Sequence, residues 1–277
     1  MALRPPGPQA LACGSWLVRG PPAGRLNGLA HCGDARRHCA RNHADDRQSA
    51  LMPVRAGRWP ATLNGCGRSF MNIYVYVVAK DGGFAPNPFH GVCTLACCKP
   101  KIRSRAQIGD WVLGLTPKKL GSRLVYAMRV DEVLDFADYF RDLRYGVKKP
   151  KLGPGTSLVQ RNGDNCYKPV EGGELRQLPS MHYDNKNGRE RPDTRATDLK
   201  SRHVLCARHF AYFGKDAESV PTALAFMVPG RGHRSRFTLP EKKAILEFVE
   251  ALPRGMHACP RCWNEVDESW KRHSRCD

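Results

Sequence analysis

The stretch from Lys80 to Lys101, KDGGFAPNPFHGVCTLACCKPK, gathers more groups able to do chemistry than any other part of the chain. Asp81, Asn87 and His90 offer an acid, an amide and an imidazole. Histidine alone among these titrates near neutrality when unperturbed, which makes His90 the first choice for proton transfer. Pro86 and Pro88 fix the backbone around Asn87, while Gly82, Gly83 and Gly91 allow a ligand to approach closely. The same residues also suit a structural Asx-Pro turn in which His90 caps a backbone group.

A second polar patch holds Gly163-Asp164-Asn165, Tyr167 and Lys168, then His182, Tyr183 and Asp184. Such groups in a long loop can hydrogen-bond a base edge or sugar and stack on it; the competing reading is ordinary turn chemistry. Lys99, Lys101, Arg103 and Arg105 alternate with other residues. An extended backbone would put all four charges on one face, ready to track phosphates. Further basic groups cluster at Lys118, Lys119 and Arg123 and at Lys148, Lys149 and Lys151.

The tail offers Cys259-Pro-Arg-Cys262, then His273 and Cys276, a spacing that could close a tetrahedral structural Zn2+ site. Cys93, Cys97 and Cys98 are poorly spaced for one metal and read as small buried thiols. Cys98 beside Lys99 could be reactive, but no catalytic role is assigned to it. A Walker loop, a dinucleotide glycine fingerprint and the deaminase Pro-Cys-x-x-Cys pattern are all missing from the sequence.

The elements that must position these groups begin at Met71. Ile73 to Val78 is β-branched and aromatic on both faces, as a central strand covered on each side requires. Asp110 to Leu115 and Arg123 to Val130 read as a hairpin across a Pro/Gly loop. Phe136, Tyr139, Phe140 and Leu143 share a helical face behind an Asp135 N-cap. From Tyr145 to Arg202 the composition is that of a long loop, and His203 to Phe213 reads as one further strand. A last helix starts at the Thr238–Glu241 capping box, with Ile245, Phe248, Val249 and Leu252 as its apolar stripe. Hairpins interrupted by short helices predict an α+β fold with a mixed or barrel-like β-sheet, the latter similar to small barrels of the pseudouridine-synthase-associated type.

The bulk properties agree with an anionic partner. Against 45 Lys and Arg stand 26 Asp and Glu, a formal charge of +19. Residues 1–70 hold ten Arg and three Asp, so +12 falls on the remainder and the excess is no mere tail effect. Nucleotide or nucleic acid is the expected partner. No apolar run approaches the length a bilayer helix needs, and a cytoplasmic location is expected, with reduced thiols. The Arg-, Gly- and Pro-rich segment 1–70 is expected to be a disordered extension, or the product of a start codon placed ahead of Met71. The folded domain is expected over 71–253, with 254–277 a Cys/His tail.

The segment YVVAKDGGFAPNPFHGVCTLACCKPKIRSRAQIGDWVLGL, with RLVYAMRVDEVLDFADYF and GDNCYKP after it, resembles the type-two nucleotide modification associated domain family. Members are typically encoded among bacterial and phage systems that alter nucleic-acid bases. The resemblance implies importance for Asn87, Pro88, Phe89, His90 and Gly91, for Cys98, Lys99 and Pro100, for Gly109-Asp110-Trp111, and for Gly163-Asp164-Asn165 with Tyr167. Cys97 and Cys166 are individual departures.

Two functions follow as expectations. One is an enzyme or accessory factor in which His90 with Asp81 or Asp164 does acid–base work on a nucleotide or base. Asn87, Phe89, Lys99, Arg103, Trp111, Asn165, Tyr167 and His182 would then bind the substrate. The other is a non-catalytic reader of modified or flipped bases. Both require the 81–90 and 163–184 turns to line one cleft edged with positive charge.

Overall fold

The computed structural model describes residues 71–263 and 271–272. The expected extension over 1–70, and His273 and Cys276 of the tail, lie outside the described residues. The chain runs through β1 (Ile73–Val77), β2 (Cys93–Leu95), α1 (Pro100–Arg103), β3 (Trp111–Leu115), β4 (Leu124–Arg129), β5 (Glu132–Asp135) and α2 (Phe136–Arg141). It continues with α3 (Leu158–Arg161), β6 (Tyr167–Pro169), β7 (Leu175–Gln177), β8 (Tyr183–Asp184), β9 (Arg189–Glu190) and α4 (Pro192–Asp198). The last elements are β10 (His203–Ala207), β11 (Phe210–Tyr212), β12 (His233–Arg234), α5 (Leu239–Glu250) and β13 (Gly255–Met256).

The fold is α+β, as the sequence pattern predicts. Six strands form a mixed sheet in the order β12-β1-β3-β4-β11-β13, which does not close into a barrel. Strands β1 and β3 are parallel, and β3 and β4 form the expected antiparallel hairpin. Both faces of β1 are buried: Tyr74 and Tyr76 enter one core cluster, Ile73 and Val75 another that includes Ile245 and Val249 of α5. The Thr238–Glu241 capping box opens α5, and the Asp135 carboxylate accepts from the Ala137 N–H at the start of α2.

A second, three-stranded antiparallel sheet has the order β2-β10-β5. It corrects the expectation of one strand over 203–213. The chain breaks at Arg208 and His209, whose N–H groups both donate to the Asp131 carboxylate. That capture turns the chain from one sheet into the other. The 145–202 region is likewise not a structureless loop: it holds α3, two small hairpins and α4. Leu143 lies beyond the end of α2 and is exposed, not on its apolar face. The residues after α5 join the same body, since β13 pairs with β11 and Cys259 and Trp263 enter the core.

Gly114 of β3 faces Tyr126 across the hairpin, and a Cβ built there would run into the Tyr126 ring and stand 2.6 Å from Val78. This close approach lets the Tyr126 hydroxyl meet that of Tyr76 at 2.9 Å in the interior. Gly114→Ala is therefore expected to destabilise the protein by about 1–3 kcal/mol through overpacking, read as a lower urea midpoint at unchanged slope.

Candidate functional site: a Cys98–His182–Asp198 relay

The connection from β2 into α1 takes an unusual path. Cys98 and Lys99 both have left-handed backbone, with φ of 60° and 42°. For side chains with a Cβ this conformation costs of the order of 1–3 kcal/mol each, and it persists only where neighbours enforce it. Here the Cys98 N–H donates to Asp198 Oδ1 at 2.6 Å. Arg103, fully buried, donates from Nε to the Cys98 carbonyl at 2.8 Å and from Nη2 to the Asp198 carbonyl at 2.6 Å. Its Nη1 reaches the carbonyls of Ser201 and His203. The basic run from Lys99 is thus a short helix, not an extended strip, and Arg103 points inward. Five guanidinium N–H groups suit a site where several carbonyls converge.

This bracing sets three side chains in line. His182 Nε2 lies 3.6 Å from Cys98 Sγ, and its Nδ1 donates to Asp198 Oδ2 at 2.7 Å. Tyr167 donates to the same Asp198 oxygen at 2.9 Å and accepts from Gln177 Nε2 at 3.0 Å. Ser180 Oγ accepts from the His182 N–H, Thr194 Oγ1 holds its carbonyl, and the ring of Phe84 packs 4.8 Å away. The His182 side chain is 19% exposed and that of Asp198 only 1%, so the imidazole can be reached while the carboxylate cannot. Burial alone would lower the His182 pKa, but the bonds to Asp198 and Cys98 outweigh it and raise it to about 10. Burial likewise opposes the Asp198 charge, yet His182, the Cys98 N–H and Tyr167 hold its carboxyl below the ordinary value. A thiol, an imidazole and an orienting carboxylate in this order are the parts of a nucleophile–base–orienter relay.

A Cys97 thiol, a His182 ring nitrogen and an Asp198 oxygen also lie within 4.8 Å of one another, a spacing that suits a metal donor set. Both His182 nitrogens are nonetheless already engaged by Cys98 and Asp198, and Cys97 Sγ sits 3.7 Å from Cys166 Sγ. The hydrogen-bonded relay accounts for these contacts.

The 81–90 and 163–184 turns touch, but Asp81, Asn87, Asp164 and Asn165 are buried and do not line a cleft between them. Asn87 Nδ2 donates to the Asn162 carbonyl at 2.9 Å, and Phe84 packs on His182. Most of the groups read from the sequence, however, are turned into the interior. Asp164, fully buried, accepts from Thr94 Oγ1 at 2.6 Å and from the Tyr139 hydroxyl at 2.8 Å. Burial raises its pKa against the pull of Lys148, Thr94 and Tyr139, and burial lowers that of Lys148. Lys148 Nζ donates to Asn87 Oδ1 at 2.6 Å, and Asn165 Nδ2 donates to the carbonyls of Tyr139 and Tyr145. Asp81 belongs to a different network, accepting from the Tyr212 hydroxyl at 2.7 Å and the Arg261 N–H at 3.0 Å. Burial raises its pKa, opposed by those two bonds.

Phe89 is buried against Trp263 at 5.4 Å, and Trp111 is buried with its ring edge-on to His209. Neither presents a face on which a base could stack. His90 is half-buried in left-handed backbone, φ 62°. Of the predicted residues, His182 and Tyr167 enter the relay and Lys99 flanks it. Cys259 is buried and Cys262 exposed in the segment held by Asp81. Asp198 carried no sequence signal, lying 16 residues from His182 and 100 from Cys98.

A family model for the nucleotide modification associated domain 2 matches residues 70–267. The chain belongs to this family. No curated protein and no solved structure matches it. Within this nucleotide modification associated domain, the relay stands at the join of the β2–α1 turn, the β7–β8 connection and the end of α4. No helix among the described residues is long and apolar enough to cross a membrane.

The raised His182 pKa has a definite consequence for stability. A group whose folded pKa exceeds its unfolded value of about 6.5 stabilises fully below that value. The contribution is lost as the pH rises toward about 10. Urea unfolding of the wild type should thus weaken progressively from pH 6.5 to 10. In His182→Gln the fall over that window should be shallower.

Proposed function

We propose that this chain is a nucleotide-modification enzyme that works by covalent thiol catalysis, with Cys98 as nucleophile, His182 as acid–base and Asp198 as the group that orients His182. The observation that carries this reading is the pair of distances about one imidazole, 3.6 Å to Cys98 Sγ and 2.7 Å to Asp198 Oδ2. It departs from the expectation centred on His90, Asp81 and Asp164, because the two carboxylates are committed to buried networks.

In the proposed first step Cys98 reacts as the thiolate of a pair with the His182 imidazolium, and Sγ bonds to an electrophilic carbon of the substrate. The bond from that carbon to a departing nitrogen or oxygen breaks, and the leaving group takes the proton from His182. Water then attacks the same carbon, giving its proton to His182. The S–C bond breaks, and Cys98 leaves as the thiolate beside the protonated His182, restoring the starting pair. The net change is hydrolysis of a carbon–heteroatom bond, with Asp198 unprotonated throughout. The family's nucleotide-modification setting supports a nucleotide or nucleic-acid substrate for this step.

The test uses a built-in control. Cys98 and Cys262 are both reachable from solvent, but among the described residues only Cys98 of the two faces an imidazole. Alkylation by iodoacetamide at pH 7, followed site by site by peptide mass spectrometry, should label Cys98 faster than Cys262. His182→Gln should slow labelling of Cys98 by about tenfold or more and leave Cys262 unchanged; Asp198→Asn should act in the same direction with a smaller effect. Equal Cys98 rates in wild type and His182→Gln would overturn the nucleophile assignment. So would stoichiometric zinc in the wild-type protein that disappears with His182→Gln, which would make the cluster a metal centre. A non-catalytic base reader, the other function expected from the sequence, predicts those equal rates.

A further inference from the structure

A groove of about 350 Å3 runs along α1 on the flank of the relay. Its cationic groups are Lys99, Lys101 and Lys200, with His233 beside them, and Pro100 and Ile102 form an apolar part of the wall. Lys99 and Pro100 directly follow Cys98, and the groove's Thr197 directly precedes Asp198. The same short turn therefore carries the nucleophile and one wall of the groove.

The charge in this groove is unbalanced. Among the described residues no carboxylate lines it and none of its three lysines is in an ion pair. The neighbouring acid, Asp198, directs its carboxylate to His182, Tyr167 and the Cys98 N–H. Lys99 is the most confined of the cations: its Nζ sits 4.5 Å from the centre of the Tyr76 ring and donates to the Val77 carbonyl at 3.4 Å. Burial lowers its pKa, opposed by Cys98. The imidazole of His233 is also held below its ordinary pKa, first by burial and then by the charges of Arg105, Lys101 and Lys99. A small volume with three cations and no countercharge is stabilised by a bound anion, and ammonium groups bind phosphate as point charges. Ser104 and Thr197 add hydroxyl donors at its rim.

We propose that this groove is the phosphate subsite of a mononucleotide substrate, gripped by Lys99, Lys101 and Lys200, with the Pro100–Ile102 wall against the nucleoside. The volume lies at the small end of small-molecule pockets, which favours one nucleotide unit over a run of polymer. The inference rests on the enzyme reading above and names the ligand class for that same site.

Isothermal titration of the full chain tests it, using the adenosine, guanosine, cytidine and thymidine 5′-monophosphates, the four unphosphorylated nucleosides, and a short single-stranded oligonucleotide. At least one monophosphate should saturate a single site and bind about tenfold or more tighter than its nucleoside. Lys101→Gln with Lys200→Gln, both exposed positions, should weaken that binding by about tenfold or more, whereas Lys118→Gln with Lys119→Gln, an equally exposed pair outside the groove, should leave it unchanged. Monophosphate affinity indifferent to the lysine pair would overturn the proposal. Tight oligonucleotide binding that the lysine pair abolishes, with no monophosphate binding, would overturn the mononucleotide assignment in favour of a polymer. Either result leaves the rate of Cys98 alkylation untouched, so failure of the groove is distinguishable from failure of the relay.

Discussion

The carboxylate of Asp198 is the interaction on which the site depends. An ionised carboxylate sealed from water would be prohibitively costly unless its oxygens were fully occupied. Here the Cys98 N–H takes one oxygen, and His182 Nδ1 and the Tyr167 hydroxyl share the other. Those three donors come from the β2–α1 turn, the β7–β8 connection and β6. Satisfying one buried charge thus fixes the relative placement of three separate segments, and it holds Cys98 in a backbone conformation that an isolated peptide would avoid. Arg103 completes the arrangement from behind by tying the carbonyls of Cys98 and Asp198 together.

The other buried acids hold structure in the same manner without facing a reachable nucleophile. Asp164 gathers Thr94 of β2 and Tyr139 of α2, while Lys148 and Asn87 bond to each other beside it. Asp81 gathers Tyr212 of β11 and the Arg261 backbone, with Trp263 donating to the Gly82 carbonyl nearby. A domain whose second sheet has three short strands and whose hairpins have two or three residues per strand has little apolar area in those regions. Hydrogen-bonded polar networks supply the specificity that packing there does not. This explains why the residue types that looked most chemical in the sequence are largely interior.

Relay and groove together describe a division of labour within one turn. Left-handed backbone at Cys98 and Lys99 sends consecutive side chains to different tasks, one toward His182 and the other along the basic groove. A regular helix or strand would not place an ammonium and a thiol from adjacent residues in this relation. On the proposed reading, binding energy from a remote phosphate would hold a reacting carbon near the thiol.

The sequence by itself determined the α+β class, the β3–β4 hairpin, the capped starts of α2 and α5, and the family, because these rest on local periodicity, capping side chains and contiguous motifs. It also pointed to the 81–90 and 163–184 turns, which touch through Phe84 and His182 without placing their acids on a common cleft. It misassigned which polar groups there are exposed, since an Asp or Asn in a turn looks the same whether its partner is water or a buried hydroxyl. The alternation of charge from Lys99 to Arg105 suggested an extended strip, and Pro100 at the first turn of α1 made it a helix instead. Only the tertiary structure could bring Asp198 to Cys98 and His182. Their union is a matter of three-dimensional hydrogen bonding around one desolvated charge, and no spacing along the chain encodes that.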